Sequence, residues 1–156
     1  MKNYKSRKGW YKLSHPEKFL KVLDEHMQSS KNGYAQYKSS LELKMLKYCD
    51  LNKFVKYFSL EPFPIPYLKP TDGKIHRYYV DFFLEFQTGD KVLVEIKTYS
   101  ETVKPQKPKK LTQKSIQEFN ESVQTYIINV SKWKACKEFA ERHNMKFMIL
   151  TEKVLL

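Results

Sequence analysis

Glycine, cysteine and arginine are all scarce in this chain. Its 156 residues include four glycines, two cysteines and three arginines. So few glycines exclude collagen-like and Gly/Ser-rich linker material. Cys49 and Cys136 are too few for a disulfide scaffold and read as buried thiols of a reducing compartment. No apolar run approaches the ~20 residues of a membrane span. The start, Met1-Lys2-Asn3-Tyr4-Lys5, lacks the apolar segment of a signal peptide. His15, His26, His76 and His143 show no metal-ligand spacing, and neither does the cysteine pair. A P-loop, a nucleophile elbow and a Gly-rich dinucleotide turn are all missing. Nucleotide hydrolysis and acyl transfer are left without support.

A hydrophobic fraction of 41% with 15% aromatics argues against disorder. The length suits one domain, able to bury roughly 68–70% of its unfolded surface. Twenty-nine Lys and Arg against 17 Asp and Glu leave a net charge of +12. That excess points to a polyanion partner, with a solubilising surface as the alternative. Lysine carries a compact point charge, which suits a phosphate backbone better than base edges.

The basic cluster Lys2, Lys5, Arg7, Lys8 and Lys12 reads as a mobile or DNA-touching arm. Pro16 is placed to open a helix reaching about Gln28, with Phe19, Leu20, Leu23 and Met27 on its apolar face. Arm and helix make an N-terminal section over 1–35, ahead of a main domain over 36–156. A second helix is expected over 40–49, on the stripe Leu41, Met45 and Tyr48. Asn52 to Leu60 reads as a strand, and the proline-punctuated 61–67 as an extended edge strand. After the turn Thr71-Asp72-Gly73, Ile75 to Phe86 and Lys91 to Thr98 are the clearest strands. A basic, extended loop covers 100–111. Helical periodicity then runs from Ile116 to Ala140, as one long helix or two with a break near Asn120. Lys146 to Thr151 reads as a buried closing strand. This order of elements predicts an α/β domain with a mixed sheet.

Gln87-Thr88-Gly89 joins the two clearest strands, and a three-residue loop puts its third residue in the left-handed region, which Gly89 accepts. Phe86 then faces Asp90, and Asp81 falls opposite Glu95. Alternate residues share a face, so Lys97 joins Glu95, while Val92, Val94 and Ile96 face the core. Opposed carboxylates at ~5 Å are unfavourable unless a cation or an altered pKa relieves them. A divalent metal would turn that repulsion into ligation. The alternative is a solvated strand face on which Lys97 neutralises Glu95. A merely solvated Asp81 fits poorly in Tyr78-Tyr79-Val80-Asp81-Phe82-Phe83.

At these residues the chain resembles the PD-(D/E)XK nuclease superfamily, whose signature is an acid on one strand and an acid-x-Lys on the next. Asp81 and Glu95-Ile96-Lys97 match it. A longer stretch strengthens the likeness: Ile65-Pro66-Tyr67, Asp72-Gly73-Lys74-Ile75-His76-Arg77-Tyr78, then Thr125-Tyr126, Asn129 and Lys132-Trp133. Over roughly 38–155 it looks like the head-completion nucleases of T-even-type tailed phages, in the TnsA-like branch. One departure is Val80, where many members have proline.

The resemblance implies a restriction-endonuclease-like core, a mixed β-sheet flanked by helices, here with an extra N-terminal helix. It implies a Mg²⁺-dependent endodeoxyribonuclease, with Mn²⁺ as substitute, acting in head completion after DNA packaging. Asp81 and Glu95 would be the metal ligands, and Lys97 would orient water and stabilise developing charge. Glu42 matches the acid that members add from the first helix. Its alternative role is a capping box with Ser39, whose amide it would bond. Glu61 reads as an edge-strand surface acid, with placement near the site as the alternative. DNA contacts are expected at His76, Arg77, Lys104, Lys107, Lys109, Lys110, Gln124, Asn129 and Lys132. DNA is the implied partner, followed by phage portal, neck or capsid proteins, with neither membrane nor nucleotide cofactor. The implied location is the cytoplasm of the infected host, extending to the virion. Two rival readings stand beside this: a non-catalytic head-completion factor binding DNA and capsid, and a transposase- or resolvase-type nuclease of the same superfamily.

Overall fold

The computed structural model describes residues 7–20, 30–31 and 33–155. Strands β1 (Gly9–Lys12), β2 (Ser30–Lys31) and β3 (Tyr34–Tyr37) form a small antiparallel sheet in the order β1-β3-β2. Part of the expected basic arm is therefore a strand, and Lys2 and Lys5 lie outside the described residues. A Cβ at Gly9 would collide with the end of the Tyr37 side chain, which would have to move aside for any larger residue.

The helix expected from Pro16 is only a 3₁₀ turn, Pro16–Lys18. Phe19 is already extended and bridges Phe58, and the Leu20 amide donates to the Phe58 carbonyl at 2.8 Å. Aromatic packing of Phe19 on Phe58, centroids 5.2 Å apart, prevails over a helix still at its costly first turn. The remaining span of that expected helix, 21–28, lies outside the described residues.

Helix α1 (Ser40–Leu51) follows, and buries Leu41, Met45, Leu46 and Cys49. The Ser39 hydroxyl caps it by accepting the Glu42 amide at 3.1 Å. Tyr48, expected on the buried stripe, is exposed. Next come β4 (Val55–Leu60), β5 (Pro64–Lys69), β6 (Lys74–Tyr79), β7 (Phe82–Phe86) and β8 (Lys91–Ile96). The chain then runs through a short helix α2 (Tyr99–Thr102), an irregular segment, helix α3 (Gln113–Arg142), strand β9 (Lys146–Leu150) and a last turn α4 (Glu152–Leu155). Helix α3 is unbroken, which settles the alternative left open at Asn120.

The main sheet has the order β4-β7-β8-β9. Its first three strands are antiparallel and β9 is parallel to β8, so the sheet is mixed. That parallel pairing needs a long crossover, which α3 supplies. Strand β9 is at the sheet edge and only half-buried, with Met148 47% exposed, instead of the buried strand expected. This is the α/β architecture with a mixed sheet that the resemblance implied.

The single strand expected over 75–86 is two strands. β6 pairs only with β5, as a separate two-stranded ribbon, whereas β7 pairs with β4 and β8. Val80 and Asp81 make the step between them. Val80 is fully buried, so the chain is pinned where it changes sheets.

Each face of the main sheet has its own core. Phe58, Phe82, Leu84, Val92, Val94 and Ile96 pack with α1. Leu93 packs on the other face with Ile65, Tyr67, Tyr78, Cys136 and Ala140, the last two from α3. Burial pushes the Cys136 thiol up to about 12, followed by the Glu95 charge, so it stays protonated. Among the described residues no helix is long and apolar enough to cross a membrane.

Candidate active site

The β7–β8 loop has the expected form. The Phe86 amide donates to the Asp90 carbonyl at 2.9 Å, and Gly89 has φ 89°. Phe82 pairs with Val94, so one step further Asp81 comes opposite Glu95.

Asp81 lies just outside the ladder, and its side chain does what a strand carbonyl would have done. Its Oδ2 accepts the Ile96 amide at 2.8 Å, while its backbone carbonyl accepts the Glu61 amide at 3.0 Å. The carboxylate is thus aimed by two strands. Glu95 is 4% exposed, which rules out the solvated strand face. The Tyr78 hydroxyl donates to its Oε2 at 2.5 Å, and Oε1 is 3.6 Å from Lys97 Nζ.

Burial raises both acids. For Asp81 burial is strongest and the Glu95 charge adds to it, against the Ile96 amide; a smaller rise comes from Glu42 and a smaller offset from Lys97. Glu95 is also raised by burial, offset by Tyr78, Lys97, the Asp81 amide and Lys132. Burial and the Glu95 charge in turn push Tyr78 far up, so it remains a hydrogen-bond donor.

Glu42 is capped by Ser39 but does not complete the expected box. Its Oε2 accepts the Lys38 amide at 2.8 Å, one residue further back than Ser39. Its carboxyl is raised by burial, lowered by Lys38, raised by Glu61 and lowered by Lys97. Glu42 and Asp81 thus both feel the Lys97 charge. Lys38 Nζ is ion-paired with the Glu61 carboxylate. Burial works against charge on Lys38, but Glu61, Glu42 and Asp81 together hold its pKa above the ordinary value. A cleft of about 20 Å³, roughly one water in size, is lined by Lys38, Glu42, Glu61 and Asp81 among others. Glu61 is no simple surface acid. Its φ of 45° is costly for a residue with a Cβ, and strain of this kind collects at functional sites. Its place before the proline run was the only signal in the sequence; Tyr78 stood in the stretch that carries the resemblance but without a role, and for Lys38 there was no signal.

From α3, Lys132 comes to the same place. Its ammonium lies 5.6 Å from the Tyr67 ring and 5.7 Å from the Tyr78 ring. Burial and then Lys97 lower its pKa, against the Glu95 charge. Asn129, one turn away, is buried. Gln124 is exposed. His76 Nε2 is 2.7 Å from Asp72 Oδ2 in the ribbon, and Arg77 is exposed. Lys104, Lys107, Lys109 and Lys110 lie along the loop after α2; Lys104, Lys107, Lys109 and Lys110 are all exposed. A groove of about 730 Å³ separates that loop from α3, lined by Glu101, Glu118, Glu121, Tyr126 and Asn129 among others, but by none of the four lysines.

Comparison with known proteins gives this constellation a family. Residues 52–152 match the TnsA-like endonuclease N-terminal domain. The chain belongs to the TnsA-like endonuclease family. The matched region runs from just before β4 into α4, so it contains Asp81, Glu95, Lys97 and Lys132, whereas Lys38 and Glu42 precede it. The head completion nuclease of Enterobacteria phage T4 is 34% identical over 116 residues, 74% of this chain and 77% of that one. Family and fold agree: a mixed sheet flanked by helices, of the restriction-endonuclease type, with paired acids where two sheets meet.

Proposed function

We propose that this TnsA-like endonuclease is a divalent-metal-dependent DNA endonuclease acting in phage head completion, with Mg²⁺ as its ion and Mn²⁺ as substitute. The observation that carries the reading is Glu95, buried opposite Asp81 with Lys97 3.6 Å away. A buried acid facing a half-buried one is costly, and hard oxygen donors of this kind suit a divalent cation. Asp81 spends Oδ2 on the Ile96 amide and keeps Oδ1 for another ligand. Among the described residues no three His, Cys, Asp or Glu side chains already form a metal cage. The fit therefore rests on two protein carboxylates, with water and the substrate phosphate completing the shell, as Mg²⁺ usually binds. A bound ion would supply a hydroxide near neutral pH and neutralise charge on the phosphate.

The chain's own residues do the rest. Tyr78 and the Ile96 amide fix the orientation of the two carboxylates. Lys97 stabilises negative charge developing on the phosphate, and Glu42 holds or receives the proton of the attacking water. Lys132 adds positive charge on the α3 side. Net charge of +12 draws the phosphate backbone in, through Arg77, His76, Lys104, Lys107, Lys109, Lys110 and the polar residues Gln124 and Asn129. The role in head completion follows the name of the phage relative; on this reading the enzyme works in the cytoplasm of the infected host, with portal, neck or capsid proteins as further partners.

A supercoiled plasmid tests the reading. Nicking is expected with Mg²⁺ or Mn²⁺, none with EDTA, and none with Asp81→Asn. DNA binding without nicking under every metal would make the chain a non-catalytic completion factor. Strong preference for branched over linear DNA would move it to the resolvase type.

A further inference from the structure

The β5–β6 ribbon has two unlike faces. Ile65, Tyr67 and Tyr78 are buried on one, which is held to α3 by the Ser131 hydroxyl donating to the Leu68 carbonyl at 2.7 Å. The other carries the cross-strand pairs Pro66–Arg77 and Leu68–Ile75. Leu68 is 54% and Ile75 68% exposed, an unusual waste of two large aliphatic side chains side by side. Arg77 shares that face, while Lys69 and Lys74 pair with each other at the tip of the ribbon, on the side of Tyr67 and His76. The sole acid of the turn, Asp72, is already engaged by the Lys74 amide and His76. Pro64 and Pro66 lack the amide hydrogens that a further strand would need, which discourages pairing with another sheet.

We propose that this outward face lies in the major groove of the DNA substrate, with Leu68 and Ile75 against base edges and Arg77 at a flanking phosphate. A two-stranded ribbon is the width that groove admits, at ~12 Å, and thymine methyl groups are apolar partners for such side chains. β6 leads through Val80 directly into Asp81, so a ribbon seated in the groove sets the distance from bases to the phosphate being cut. The inference rests on the endonuclease reading and adds to it a base-contacting surface.

The test uses the full chain carrying Asp81→Asn, so that DNA survives the measurement. This protein is expected to protect guanine N7 from dimethyl sulfate and to bind a thymine-containing duplex more tightly than its uracil counterpart. Adding Leu68→Ser and Ile75→Ser should weaken binding about tenfold, abolish the thymine preference and leave the salt slope unchanged. The melting temperature should hold, since both side chains are exposed. Equal affinity and equal protection in the serine variant would overturn the proposal. Unchanged DNA binding with lost self-association, seen by sedimentation, would overturn it in favour of an interface between copies. A parent protein that binds no DNA even at low salt would instead remove the endonuclease reading itself.

Discussion

Asp81 and Glu95 are each held where ionisation is unfavourable, and this has a measurable pH consequence. Both carboxyls titrate higher in the folded chain than in the unfolded one. Between those values the native state binds more protons, so stability falls as pH rises through the window and is fully restored below it. Asp81→Asn removes the repulsion with Glu95 and leaves the amide oxygen free to accept the Ile96 amide. In EDTA it should raise the melting temperature relative to wild type near neutral pH, with the difference vanishing at about pH 4, where the unfolded carboxyl titrates. A difference independent of pH would show that Asp81 titrates alike in the native and the unfolded chain. Glu42 offers a cleaner separation of structure from chemistry. Glutamine keeps an oxygen for the Lys38 amide and leaves the Ser39 cap intact. Glu42→Gln should therefore melt like wild type but nick plasmid more slowly by about 10²-fold or more, the usual loss of a general acid–base group. Full activity would return Glu42 to a capping role.

Among the elements, the joint between the N-terminal segment and α1 depends on one buried carboxylate. Asp50 Oδ2 accepts the Tyr11 hydroxyl at 2.9 Å and the Ser14 amide at 2.8 Å, and Oδ1 accepts the His15 amide at 2.8 Å. Lys18 Nζ closes the end of α1 by donating to the carbonyls of Cys49, Asp50 and Asn52, at 2.6, 2.9 and 2.9 Å. Asp50→Ala strands three donors, and unfolding in urea should show a loss of about 2–4 kcal/mol. Lys18→Met should cost about 1–2 kcal/mol, the scale of a half-buried cation at a helix C-terminus. Comparable small losses for both would mean that water replaces these partners and that the segment docks through its apolar residues alone.

Across the whole molecule, positive charge is spread widely, but the lysine loop after α2 concentrates it. The acid nearest to Lys104, Lys107, Lys109 and Lys110 in sequence, Glu101, is spent on the Thr98 amide. Four exposed cations in one loop of a nuclease are suited to phosphates. Neutralising all four to glutamine should flatten the salt dependence of duplex binding by up to ~0.9 for each phosphate no longer neutralised, with affinity falling about equally on every sequence. This separates the loop from the ribbon, whose serine variant should keep the salt slope. An unchanged slope in the glutamine variant would send the search for the DNA path to the N-terminal basic residues.

Local chemistry alone determined the β7–β8 hairpin. Its turn needs a left-handed third residue, Gly89 is there, and loop length then forces Asp81 opposite Glu95. Leu41 and Met45 of the α1 stripe, the extended proline run and the long periodic α3 were legible for similar reasons, since each depends on spacing within one segment, whereas Tyr48 turned out exposed. Other features came from packing between segments. Phe19 leaves its expected helix because Phe58, far along the chain, packs against it. The strand over 75–86 divides because β5 and β4 compete for different parts of it. Lys38, Glu61, Tyr78 and Lys132 join the acids from four separate places, and no spacing rule connects them. Tertiary packing decided these, because the desolvation that makes Glu95 costly, and the partners that offset it, exist only once distant residues meet around it.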